Sequence, residues 1–246
     1  MAPVPDPSAL AVLVATAFVA SIVAGVAGFG AGVILLPIVA LTVGVRAAAP
    51  VLTVTMLLGN TGRIWWSRHE LDAAVAWRYL AGAVPATFLG VVLYAGATGH
   101  SLGRVIGVFL LTSVPLRRLL LSTRVRVRLA HFPVLGGVFG ILSALVVTTG
   151  PLTTPFFLAY GLRRGSFVAT EAVCALGMHV TRGVAFARYA LLGWDTVALG
   201  CVLGATMFAG SWIGRHLLER MNDRVFLLIL ECLLVVMGLQ FLFFSR

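Results

Sequence analysis

Two polar pairs stand inside long apolar stretches. Asn60 and Arg63 are three residues apart in one stretch, and His179 and Arg182 are three apart near the middle of another. A spacing of three puts both members of a pair on one helix face. An arginine at the centre of a membrane-spanning helix costs about 2.5–3.5 kcal/mol on insertion scales, so Arg182 must face the protein interior and find a partner. The pair then either recognises an anion or forms a salt bridge with an intramembrane carboxylate, Glu231 first and Glu171 second. Arg63 has a third option, which is to snorkel to the inner interface. Glu231 is either a proton-carrying coupling residue or the counter-charge of Arg182, and Glu171 shares that alternative.

Two backbone breaks are the next candidates. Gly25-Val26-Ala27-Gly28-Phe29-Gly30-Ala31-Gly32, with Pro37 after it, clusters residues that expose backbone and permit positive φ. A helix broken at Gly28, Gly30 and Gly32 would aim N–H groups and a helix N-terminus at an anion. Alternatively, the small residues only let helices pack closely. The cluster is no dinucleotide fingerprint, because that needs a preceding strand and a βαβ unit. The second break is Val147-Thr148-Thr149-Gly150-Pro151-Leu152-Thr153-Thr154-Pro155, where two prolines and four threonines preclude an undisturbed helix. Backbone freed at membrane depth must face protein or a watery cavity. The hydroxyls of Thr148, Thr149 and their neighbours either coordinate an oxyanion or satisfy that backbone.

These residues need a scaffold, and the composition says which. Of 246 residues, 60% are hydrophobic and 11% charged, with a mean hydropathy of +1.05. A soluble domain carries about 25% charged residues, so the chain reads as an integral membrane protein. Continuous apolar runs exclude the alternating strands of a barrel and leave an all-α membrane protein. The net charge of +10 is carried by 18 arginines and no lysine. Their position between apolar runs marks cytoplasmic loops and argues against nucleic acid. Cys174, Cys201 and Cys232 have no metal spacing, so no metal, cofactor or catalytic group is assigned.

Apolar runs are expected over 9–27, 31–43, 47–66, 73–95, 102–121, 132–147, 152–162, 167–191, 196–217 and 225–244, with Asp72, Ser101, Ser166, Asp195 and Asp223 as N-caps. The runs 31–43 and 152–162 are shorter than the roughly 20 residues a bilayer crossing needs, which makes them half-helices or re-entrant segments. The fold expected is therefore eight to ten transmembrane or half-membrane helices. The arginine-dense stretch from Arg117 to Arg128 is placed in the cytoplasm, and alternation from it puts the N-terminus outside. Trp65, Trp66, Trp77 and Tyr79 are assigned to the inner interface, and Tyr94, Tyr189 and Trp194 to the outer one.

The two halves repeat. Gly32 and Pro37 correspond to Gly150 and Pro155, Thr53 to Thr170, Gly59 to Gly177, and Asn60 and Arg63 to His179 and Arg182. Five segments per half is odd, so the copies have opposite orientation, an architecture of secondary transporters. The first repeat covers 1–121, a basic linker 122–131 and the second repeat 132–246.

At these residues the chain resembles the sulfite exporter TauE/SafE family of bacterial membrane proteins. The likeness rests on Ala24 to Gly32 with Pro37, on the second copy ending in Gly150 and Pro155, and on the basic loop between the halves. The family's glycine cluster is denser than Gly30-Ala31-Gly32, and its second copy has a glycine run in place of Val147-Thr148-Thr149-Gly150. The resemblance implies a multi-pass transporter of the bacterial inner membrane exporting sulfite or an organosulfonate, and coupling to protons or to sodium is left open. Self-association into a homo-oligomer is compatible with it. The competing classes are a non-transporting structural subunit of a membrane complex and an intramembrane enzyme. The enzyme lacks support, because no HExxH, no GxSxG and no aspartate pair is present.

Overall fold

The computed structural model describes residues 5–27, 29–122, 126–162 and 164–217, together with 235 and 239. Nine helices and no strand occur among the described residues: α1 (Pro7–Ala27), α2 (Ala31–Val43), α3 (Val45–Ser67), α4 (Ala73–Gly96), α5 (Gly99–Ser122), α6 (Phe132–Val146), α7 (Gly150–Tyr160), α8 (Arg164–Arg188) and α9 (Trp194–Leu217). Five stretches are long and apolar enough to cross a membrane: α1, α4, α5, α9 and Leu129–Val146, in which a 3-10 turn leads into α6. At 13 and 11 residues, α2 and α7 span only about 20 and 17 Å at about 1.5 Å per residue. Neither reaches across a hydrocarbon core of about 30 Å.

The helix starts correct three expected N-caps. Asp72 does cap α4, its carboxylate accepting from the Val75 amide at 3.0 Å. Ser101 lies inside α5, which begins two residues earlier. There the Thr98 amide donates to the Ser101 hydroxyl at 3.0 Å and the Ser101 amide to the Thr98 hydroxyl at 3.2 Å, a reciprocal cap. Ser166 and Asp195 likewise fall within the first turns of α8 and α9. Asp223 and most of the tenth run lie outside the described residues.

Close backbone approach fixes which helices pair. The α4–α6 contact brings Gly82 against the Pro133 carbonyl and Gly136 against the Tyr79 carbonyl, so a Cβ at either position would collide with main chain. On the opposite flank, α9 packs on α1 through Gly210 beside Ser21. Between these flanks, α3 packs on α9, α8 packs on α4, and α3 and α8 contact each other. These two central helices carry the polar pairs.

Aromatic residues divide by location. Trp65, Trp77, Tyr189 and Trp194 are exposed, as interfacial residues should be. Tyr79 and Tyr94, expected at the interfaces, are instead buried. The Tyr79 ring packs on Phe157 at 5.5 Å, and the Tyr94 hydroxyl donates to the Arg46 carbonyl at 2.7 Å. A phenol tolerates the interior when it finds such packing or an acceptor.

Candidate functional site

Residues 171, 175, 178 and 179 recur at helical spacing, so Glu171, Ala175, Met178 and His179 share the face of α8 that lines a buried cavity with Met56, Gly59, Asn60 and Arg63 of α3. The cavity measures about 50 Å³. That is room for a few waters or one small polyatomic ion.

The two short helices supply its other wall. Gly30 takes φ +111°, a left-handed turn that glycine adopts without penalty, and this turn starts α2. The preceding break at 147–149 starts α7, with Val147 at φ +66° and Thr149 at the N-cap. Gly30, Ala31 and Gly32 line the cavity from one side, and Thr148, Thr149 and Gly150 from the other. The two starts touch. A Cβ on Gly32 would lie 2.8 Å from the Thr148 Cβ, and one on Gly150 would strike the Phe29 side chain. No side chain caps either helix. The amides of Ala31 and Gly32, and that of Gly150, therefore have no acceptor within their own helices. Two positive dipole ends meet at one cavity.

Arg63 is buried and does not snorkel. Its Nη1 donates to Glu171 Oε2 at 2.9 Å, while Nε and Nη2 donate to Asn60 Oδ1 at 3.2 and 2.5 Å. Glu171 is thus the partner of Arg63 rather than of Arg182. Asn60 is 2% exposed, and its Nδ2 has no partner although it borders the cavity. A buried unpaired amide donor costs about 1–3 kcal/mol, so a bound acceptor would be welcome there.

Arg182 is fully buried and does not line the cavity. Its Nε donates to Thr53 Oγ1 at 2.7 Å, Nη1 donates to the carbonyls of Ser143 and Val147, and Nη2 contacts His179 Nδ1. The two carbonyls belong to the C-terminal turn of α6, where a cation offsets the negative dipole end. A guanidinium can only donate, so His179 Nδ1 accepts and its proton sits on Nε2. His179 thereby offers the cavity a donor. Arg182 acts as a strut that ties α8 to α6 and orients His179.

The threonines also separate by role. Thr153 and Thr154 hydroxyls donate to the Gly150 carbonyl at 3.2 and 2.6 Å and so serve the broken backbone. Thr148 and Thr149 line the cavity. Sequence reasoning did not single out Ser21, Met207 or Ser211, which complete the wall from α1 and α9. Nothing in their local pattern separates them from ordinary packing residues. Gly28 and Glu231 lie outside the described residues. No group of three or more His, Cys, Asp or Glu side chains able to hold a metal occurs among the described residues.

Long apolar helices, with two half-length helices meeting at a donor-lined cavity, define a multi-pass helical membrane protein. The chain belongs to the sulfite exporter TauE/SafE family, whose model matches residues 13–241. That family consists of membrane transporters of sulfite or related anions. No curated protein and no solved structure matches the chain.

Proposed function

We propose that the chain is a secondary transporter exporting a small anion, sulfite or an organosulfonate, from the bacterial cytoplasm across the inner membrane. Two inverted repeats, 1–121 and 132–246, joined by the basic linker 122–131, alternate access to the cavity. Eight to ten transmembrane or half-membrane segments build them, with the N-terminus outside.

One observation carries this reading: two uncapped helix N-termini and the unpartnered Asn60 amide converge on one buried cavity whose wall contains Arg63. Such convergence of donors and positive dipole ends suits an oxyanion and nothing cationic. The anion would take hydrogen bonds from the amides of Ala31, Gly32 and Gly150, the Thr148 and Thr149 hydroxyls, Asn60 Nδ2 and His179 Nε2, with Arg63 as counter-charge. Gly30 and Gly32 let the backbone come this close. The repeat reading is supported by reciprocal packing. The contact of α4 with α6 is answered by α9 with α1, and α3 with α9 by α8 with α4, as two interlocked copies would require.

Uptake of labelled sulfite and sulfoacetate into inverted vesicles tests the proposal. Saturable flux in the native protein, lost in Arg63→Ala, is expected. Absence of flux for both anions in folded native protein would overturn it.

A further inference from the structure

Resting on the transporter reading above, we propose that Glu171 is a proton-exchange group. An anion entering the cavity displaces its carboxylate from Arg63, and Glu171 takes up one proton, so that anion and proton are bound together.

Arg63 and Glu171 meet at 2.9 Å, both are buried, and both line the cavity of about 50 Å³. An oxyanion in that volume is drawn to the guanidinium, the cation in the cavity wall. If Glu171 stayed ionised, two negative charges would share one cation where water is scarce, and like charges in such a site do not both remain ionised. Protonation removes the conflict. One O–H bond forms on the carboxyl with a proton given up by a buffer acid in bulk solution and relayed through the water that enters with the anion, and it breaks again, returning the proton to solvent, when the anion leaves. For a singly charged anion the cavity's net charge is then the same empty and loaded.

The surroundings favour this exchange. Asn60 Oδ1 accepts from both Nε and Nη2 of Arg63, on the edge of the guanidinium that Glu171 does not use. Asn60 thus holds the cation in place while its anionic partner changes. The other titratable or charged groups around Glu171 are accounted for. Tyr79 of α4 and Cys174 of α8 lie within electrostatic reach of the carboxylate. His179 has Nδ1 occupied by Arg182, whose own donors are engaged by Thr53 and by the end of α6. At the start of α8, Glu70 packs against Gly165, and the Asp72 amide donates to Thr170 while its carboxylate caps α4. Glu171 is the carboxylate among these that borders the cavity.

Calorimetric titration of the purified protein with sulfoacetate, in two buffers of different ionisation enthalpy at neutral pH, counts protons taken up per anion bound. Sulfoacetate is fully ionised at that pH, so any proton counted belongs to the protein. About one proton per anion is expected in the native protein and in Glu171→Asp, and about none in Glu171→Gln. Binding by native protein with no proton uptake would overturn the inference and leave the transporter reading intact. Folded native protein that binds neither sulfoacetate nor sulfite would remove both. The native count decides the matter even where the Gln variant fails to fold.

Discussion

Arg63 and Glu171, 108 residues apart in the chain, form an ion pair of 2.9 Å that joins α3 to α8 in the cavity wall. Its geometry links the stability of the central helix pair to the chemistry of the cavity. Removing one member of a buried pair strands the other charge, whereas replacing both with apolar groups relieves the cost of desolvation.

Arg63→Gln should therefore destabilise the protein by about 3–5 kcal/mol, while Arg63→Met combined with Glu171→Leu recovers most of that loss. Neither variant should bind sulfite or sulfoacetate. Thermal unfolding in detergent and equilibrium binding check the two halves of this expectation. A double variant that regained both stability and binding would disconnect the pair from the anion.

Arg182 should behave differently, because its guanidinium is spent on Thr53, His179 and the α6 carbonyls. Arg182→Gln leaves most of those acceptors unsatisfied and should cost more than about 3 kcal/mol, since each charged hydrogen bond is worth about 1.5–3 kcal/mol. The folded remainder should still bind anion, with an affinity weakened less than in the Arg63 variant. Comparing thermal midpoint with binding affinity separates the two arginines.

The meeting of α2 and α7 allows a sharper test. A methyl at Gly32 would sit 2.8 Å from the Thr148 Cβ. Gly32→Ala should therefore cost about 1–3 kcal/mol as overpacking and impair flux. Thr148→Gly in the same chain removes the opposing Cβ and should restore stability, whereas Thr148→Ala keeps that Cβ and should not. Thermal unfolding of the three variants reads the outcome.

Asp72→Ala serves as a counterpart away from the cavity. Loss of the cap on the Val75 amide should cost about 1 kcal/mol. Anion affinity should stay unchanged, as measured by the same titration.

The helical scaffold was legible because membrane helices announce themselves by length and composition. The breaks at Gly30 and Thr149 were legible because glycine and proline have local consequences. The facing pairs Asn60–Arg63 and His179–Arg182 followed from their spacing of three, but their partners did not. Whether Glu171 reaches Arg63 or Arg182 depends on the lateral register of α3 against α8, which no local signal encodes. Tyr79 and Tyr94 are turned into the protein rather than toward its surface for a related reason. Amphipathic rings near run ends suit the interface, yet here Phe157 and the Arg46 carbonyl offer them a better interior environment. Ser101 and Ser166 misled because a serine within the first turn has the same local pattern as one at the cap.

The central claim is that the meeting point of α2 and α7 is an anion site open to water during transport. Thr149→Cys, in a chain with Cys174, Cys201 and Cys232 replaced, places a thiol there. Labelling by an aqueous thiol reagent is expected, slowed by sulfoacetate in a saturable way and unaffected by chloride. A thiol that resists labelling in every condition, or one whose labelling ignores sulfoacetate, would contradict that claim.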